Sequence, residues 1–367
     1  MSYGSTIMIE LAEYGWNAAL AASFEAFAGQ GFVPGRVVKQ ARDLSTLMTA
    51  EGEAAGEVSG RFRHQALGPS DFPAVGDWAA VRPVERGPSL IEAILPRRSA
   101  FTRKAAGEAV EAQIVAANVD TVFLVSGLDG DFNLRRIERY LTTAWSSGAE
   151  PVIILNKADL TPDLEAVIAA AAGVAPGVPI VAARALTEGG LEGLTPFLSA
   201  GKTVAFLGSS GVGKSTMINR LIGRERFRTG AMSDAAAGRG RHTTTERELV
   251  RLPGGALLID TPGMRELGLW ADDDGLDKTF DEIDALAALC RFPDCGHEHE
   301  PGCAVRAAVE SGALDRQRWE SFLKLRRELR FLELKKDEKT RRQHEKAAGR
   351  DFAVRLKEVK KHKLRYR

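Results

Sequence analysis

With 367 residues, 44% of them hydrophobic, the chain exceeds the usual size of one domain and can bury more than one core, so two or three domains are expected. No apolar run approaches the ~18 residues of a membrane span, and Met1–Glu10 lacks the basic start and apolar core of a signal peptide; membrane and secreted classes are excluded and a cytoplasmic protein is expected. The formal charge of +1 conceals an asymmetry, because residues 318–367 hold 19 Lys/Arg against 8 Asp/Glu while the rest hold 31 against 41. Such a basic end suits an acidic partner, nucleic acid being the commonest, with a merely solvated helix as the alternative.

In chain order, Leu11–Phe27 predicts a short helix, followed by a Gly-rich break at Gly29–Gly35. Short β-type runs come next at Arg36–Lys39, Gly56–Arg63 and Asp77–Arg82, a pattern that predicts a small barrel. Barrels of the oligonucleotide-binding (OB) kind accept single-stranded nucleic acid, and Arg36, Lys39, Arg61 and Arg63 are candidate phosphate contacts; a barrel used only for packing is the alternative. Strands are then predicted at Thr121–Val125, Pro151–Leu155, Pro179–Ala182, Thr203–Leu207, Glu246–Leu252 and Ala256–Ile259. Helices are predicted at Asn133–Trp145, Pro162–Ala172, Gly190–Leu198 and Thr216–Ile222. Six strands alternating with helices specify an α/β sheet with ligand loops at the strand C-termini.

Those loops carry the chemistry. Asn156-Lys157-Ala158-Asp159 follows a buried strand; Asp159 can accept from guanine N1–H and the exocyclic amine, Asn156 assists at the base edge, and Lys157 packs alongside. Gly208-Ser209-Ser210-Gly211-Val212-Gly213-Lys214-Ser215-Thr216 fits a phosphate loop, with Lys214 for the β- and γ-phosphates and Ser215 for Mg²⁺. Residues 238–245 form a Gly-rich segment ending in three threonines, of which Thr244 is the choice for completing the Mg²⁺ shell; an ordinary turn is the alternative. Asp260-Thr261-Pro262-Gly263 then places Asp260 to hold Mg²⁺ through water and the Gly263 N–H to meet a γ-phosphate.

In Ras-like GTPases the base-reading tetrapeptide comes last, whereas here it precedes the phosphate loop. The order implies a circular permutation, with the old termini joined across Gly190–Lys202. Beyond the sheet, Cys290, Cys295, His297 and Cys303 supply three thiolates and an imidazole, the donor set of a closed structural zinc site stabilising its unit by ~10 kcal/mol or more; His299 competes as fourth ligand. From Leu314 the chain is helical, and Trp319, Phe322, Leu325, Leu329 and Leu332 form an apolar stripe expected to face a core.

Permuted motif order, preceding barrel and trailing Cys3His cluster together resemble the ribosome small-subunit-dependent GTPase A family (RsgA or YjeQ), over about residues 36–335. The most specific marks are Gly-Arg-His-Thr-Thr-Thr at 240–245, Asp-Thr-Pro-Gly at 260–263 and the cysteine–histidine spacing. The resemblance implies an extension (1–35), an OB-like barrel (36–100), a permuted GTPase domain (101–283), a helical zinc domain (284–335) and a basic tail (336–367). It implies GTP hydrolysis stimulated by the small ribosomal subunit late in that subunit's assembly, with rRNA contacts from the barrel and zinc domain. A monomer that exchanges GTP and GDP is expected, and a nucleotide-gated rRNA scaffold with little hydrolysis is the rival reading. Met264 stands where Ras-type enzymes place a water-orienting Gln, so intrinsic hydrolysis should be slow, and the resemblance suggests His242 for that role. The family's second base loop, usually Ser-Ala-Leu-Thr-Gly, is here Arg184-Ala185-Leu186-Thr187-Glu188, with the Ala185 N–H as donor to guanine O6 and the loop's rigidity in question.

Overall fold

The computed structural model describes residues 9–41, 44–104, 112–223, 247–260 and 272–334. The N-terminal stretch is not one helix. A 3₁₀ turn at Leu11–Tyr14 stops at Gly15, whose φ of 86° is left-handed, and α1 (Ala18–Phe24) starts afresh because the Asn17 side chain accepts from the N–H groups of Ala19 and Leu20. Between them Trp16 packs edge-on against Trp78 at 4.8 Å, docking the segment on the barrel.

The barrel consists of β1 (Val33–Ala41), β2 (Leu44–Thr49), β3 (Gly52–Val58), β4 (Trp78–Arg82) and β5 (Ser89–Ile94). Its order is β1-β2-β3-β5-β4, closed by β4 pairing with β1 around Val37, Leu47, Ala79, Val81 and Ile91. The second half of the expected Gly56–Arg63 strand is instead α2 (Gly60–Gln65), since Ser59 Oγ accepts from Phe62 N and caps a helix there. Arg36, expected as a surface phosphate contact, is 1% exposed. Its guanidinium joins three segments, donating to Gly76 O, Tyr14 O and Thr203 Oγ1. Burial without a contacting carboxylate lowers its pKa to about 10.

A hairpin of β6 (Ala100–Lys104) and β7 (Ala112–Ala117), not anticipated from the sequence, leads into the α/β unit. That unit runs β8 (Thr121–Gly127), α3 (Leu134–Ser147), β9 (Glu150–Asn156), α4 (Leu164–Val174), β10 (Ile180–Ala183), β11 (Thr203–Gly208), α5 (Lys214–Ile222), β12 (Arg247–Arg251) and β13 (Leu257–Asp260). The expected helix at the join is a 3₁₀ helix, Glu192–Phe197, with Pro196 inside it. The six strands lie in the order β10-β9-β8-β11-β13-β12, all parallel except β12. Both faces are buried, Val122, Leu124, Ile153 and Leu155 on one and Phe123, Val125, Val152 and Ile154 on the other, which explains continuous apolar runs in place of alternation. Through Lys39 opposite Glu248 and Gln40 opposite Arg247, β1 pairs with β12, so barrel and α/β sheet share eleven strands.

The third unit packs α6 (Asp273–Thr279), α7 (Asp281–Ala287), α8 (Ala304–Ser311) and α9 (residues 316–334) around Phe280, Ile283, Val305, Phe322, Leu325 and Leu329. The stripe residues Phe322, Leu325 and Leu329 thus face a core, with Trp319 packed against it. Arg318 fastens the unit to the α/β domain. It is 5% exposed and donates to Glu138 on α3, Glu282 on α7 and the carbonyls of Val174 and Thr279, with its guanidinium over the Phe280 ring.

Candidate functional site

The parallel strands β10, β9, β8, β11 and β13 end on one edge, and the second base loop, the Asn156 tetrapeptide, the phosphate loop and Asp260 lie at the ends of β10, β9, β11 and β13. Between β11 and α5 the chain turns tightly enough to require glycine: Gly213 has φ 103°, and a Cβ there would sit 2.2 Å from Asn156 Nδ2. Lys214 is buried at the first turn of α5, its Nζ donating to Gly208 O at 2.6 Å and to Ser209 O. Two loop carbonyls therefore hold the ammonium inside the loop's curl, where an anion would add to its partners without moving it. Ser210 and Gly211 are exposed at the rim, Val212 is buried, and Ser215 and Thr216 are half-buried on α5.

Asn156, at the end of β9, is 1% exposed. Its Nδ2 donates to Val212 O at 2.7 Å while its Oδ1 accepts from Ala185 N at 3.1 Å, tying phosphate loop to second base loop. The Ala185 N–H, the expected donor to guanine O6, is thus engaged by Asn156, while the neighbouring N–H groups of Leu186, Glu188 and Gly189 have no partner among the described residues. Lys157, at φ 60°, donates to Asp129 and to Gly211 O at 2.9 Å, so its side chain spans from base loop to phosphate loop. The hydrogen bond from Lys157 holds the Asp129 carboxyl below its ordinary range. Asp159 is exposed beside them. Asp260 ends β13, directly beside β11. His242, Thr244 and Gly263 lie outside the described residues.

The single ligand atoms of Cys290, Cys295, His297 and Cys303 all lie within 4.8 Å of one another. Cys290 Sγ is 3.6 Å and Cys303 Sγ 3.4 Å from His297 Nδ1, and the two sulfurs are 3.9 Å apart. A tetrahedral ion with bonds of about 2.3 Å to sulfur and 2.0 Å to nitrogen has edges close to these lengths, so the four residues fit zinc. Burial, then Arg326, lowers the His297 pKa and keeps the imidazole neutral, as a ligand must be. Glu300 shapes the turn by accepting from Gly296, Glu298 and His299 N–H groups, which depress its pKa to about 2.

Three arginines escaped the sequence reading. On α3, Arg136 donates to Ser209 Oγ at 2.8 Å and pairs with Asp131; on α5, Arg220 holds carbonyls of the second base loop; Arg318 is described above. The rule that loops at parallel-strand C-termini carry ligands was signal enough to inspect 128–136, whereas Arg220 and Arg318 have no local sequence signature. A cavity of about 260 Å³ lined by Arg36, Trp78, Asn118 and Thr203 lies at the opposite strand ends and is not the nucleotide site.

A phosphate loop on β11, a guanine-type loop upstream on β9 and Asp260 downstream on the adjacent β13 define a circularly permuted P-loop GTPase. Residues 94–270 match a family model described as RsgA GTPase. The chain is 51% identical over 328 residues to the small ribosomal subunit biogenesis GTPase RsgA of Opitutus terrae, covering 87% of this chain and 89% of that protein. Identity to the protein of the same description from Streptomyces coelicolor is 43% over 347 residues, 94% and 93% of the two chains. Among solved structures, YjeQ from Thermotoga maritima superposes with a TM-score of 0.61 at 30% identity, covering 81% of this chain and 98% of that one. YloQ, a circularly permuted GTPase, shares the fold at a TM-score of 0.60 and 23% identity, over 82% and 95% of the chains. The chain belongs to the RsgA GTPase family.

Proposed function

We propose that this GTPase acts late in maturation of the small ribosomal subunit, which stimulates its hydrolysis of GTP to GDP and phosphate, the reaction driving its release from the particle. The observation that carries the nucleotide chemistry is Asn156, whose one amide joins the Lys214 loop to the base loop and makes phosphate and base recognition a single unit. The ribosomal role rests on relatives such as the Opitutus terrae protein, described as a small ribosomal subunit biogenesis GTPase.

Asp159 reads the guanine N1–H and amine, Lys157 flanks the base, and loop amides from Gly208 to Thr216 with the Gly263 N–H surround the phosphates. Ser215, Asp260 and Thr244 would hold Mg²⁺, which when bound neutralises charge on the β- and γ-phosphates. Lys214 stabilises charge on the transferring phosphoryl group. His242 orients the attacking water in place of the side chain that Met264 lacks. Zinc on Cys290, Cys295, His297 and Cys303 is structural.

The expected boundaries at 35 and 283 fall inside β1 and α7, so we place the start of the barrel at Val33 and the start of the helical zinc-binding unit at Asp273, and keep the divisions at 100 and 335 between barrel and GTPase domain and before the basic tail. We assign rRNA contacts to the barrel, through the exposed Arg61 and Arg63, and to the helical unit. Among the described residues no helix is long and apolar enough to cross a membrane; a cytoplasmic monomer is our assignment from the ribosomal role.

The deciding experiment measures phosphate release with and without purified small subunits. Stimulation by orders of magnitude, lost in His242→Ala, is expected; no stimulation would favour the rival reading of a nucleotide-gated rRNA scaffold, and full stimulation of His242→Ala would remove that residue's role.

A further inference from the structure

The second base loop, residues 184–188, is held by more than its own backbone bonds. Thr187 N reaches Arg184 O at 2.9 Å and Gly190 N reaches Thr187 O at 3.0 Å, which closes the turn upon itself. Two side chains fix the turn to the rest of the site. Asn156 Oδ1 accepts from Ala185 N, and Arg220 Nη1 donates to both Ala185 O, at 2.8 Å, and Thr187 O. These carbonyls lie on either side of Leu186, whose side chain is 89% exposed. Arg220 stands near the end of α5, whose first turn carries Lys214. The helix that holds the phosphates therefore also sets the direction of the peptide at Leu186.

We propose that Arg220 is a specificity-determining positioning residue: by clamping the carbonyls on both sides of Leu186, it aims the Leu186 N–H at the 6-position of the purine. An N–H fixed there accepts a 6-oxo group and opposes a 6-amino group, donor against donor, so adenine is rejected at this edge independently of Asp159. Arg184 makes no such contact among the described residues; Arg220 supplies the restraint from a neighbouring helix. The inference rests on the assignment of this site to GTP, and its test separates the two.

The test uses the full-length zinc-loaded protein with Mg²⁺ and measures dissociation constants for GDP, ADP, IDP and 6-thio-GDP by competition. IDP lacks only the 2-amino group, which Asp159 reads; 6-thio-GDP alters only the 6-position and keeps N1–H and the amine. A wild type with equal affinity for GDP and ADP would end the GTP assignment itself, before Arg220 is considered. Given a guanine preference, Arg220→Ala is expected to weaken GDP about tenfold and to shrink the GDP:6-thio-GDP ratio, leaving the GDP:IDP ratio unchanged. Arg220→Lys, which keeps a donor within reach, should restore part of the 6-position ratio. The proposal is overturned if the 6-position ratio stays at its wild-type value. It is equally overturned if both ratios fall together, because that marks general loosening of the pocket and no specific aim at the 6-position.

Discussion

Asn156 is buried with its amide spent on Val212 and Ala185, whereas Asp159, three residues on, is exposed. The tetrapeptide thus divides into a structural tie and an exposed carboxylate, to which we assign the reading of the base. Asparagine at 159 would turn an N–H toward the purine N–H groups, while xanthine offers an oxygen at the 2-position. Asp159→Asn should therefore lower GTP affinity by ~10²-fold or more and favour XTP, as competition binding would report. Unchanged GTP affinity would remove Asp159 from the site. Lys214, Asn156 and Asp159 were legible because each belongs to a contiguous motif with fixed spacing. Arg136 and Arg220 were not, since a lone arginine acquires a role only from the backbone that folding brings beside it.

Helix α3 shows how one element serves two neighbours. Arg136 contacts the phosphate loop through Ser209, while Glu138, fully buried, receives Arg318 from α9. Removing one partner of so enclosed an ion pair costs roughly 3–5 kcal/mol, because the other charge stays buried. Arg318 also bonds the half-exposed Glu282. Burial alone would raise the Glu282 pKa, but the hydrogen bond and charge of Arg318 outweigh it, and the net shift is downward. A carboxyl whose folded pKa is depressed contributes stability that is complete above its unfolded value, about 4.5, and is lost as pH falls through the folded value. Glu282→Gln should consequently lower the melting temperature at pH 7 and narrow its difference from wild type below pH 4. A difference constant from pH 7 to pH 3 would show that the Glu282 charge contributes nothing. The element boundaries that sequence reading misplaced are cap decisions that propensity does not register: a left-handed Gly15 and the Asn17 side chain divide the first helix, and the Ser59 hydroxyl starts α2.

Across the whole molecule, β1 belongs to the barrel and, through β12, to the sheet that carries the nucleotide loops. Arg36 reinforces the junction from inside with bonds to the N-terminal segment, the barrel and the foot of β11. An arginine buried among neutral acceptors at such a junction has a positioning role, and it is withdrawn from any RNA surface. For the proposed rRNA contact, the charge is assigned instead to exposed residues and to the C-terminal excess of basic residues. Truncation after residue 340 should weaken RNA binding and reduce the slope of log affinity against log salt, because fewer phosphate counterions are released. An unchanged slope would leave the tail as a solvated segment.

By itself the sequence determined the chemistry and its order along the chain. Phosphate, base and metal ligands sit in short contiguous motifs, and their permuted order specifies the topology whatever the packing. Tertiary structure decided which of those groups point at a ligand and which hold other loops in place. Asn156, Ala185 and Arg36 took structural partners on folding, because burial and hydrogen-bond saturation depend on neighbours that are 22 or more residues away in the chain.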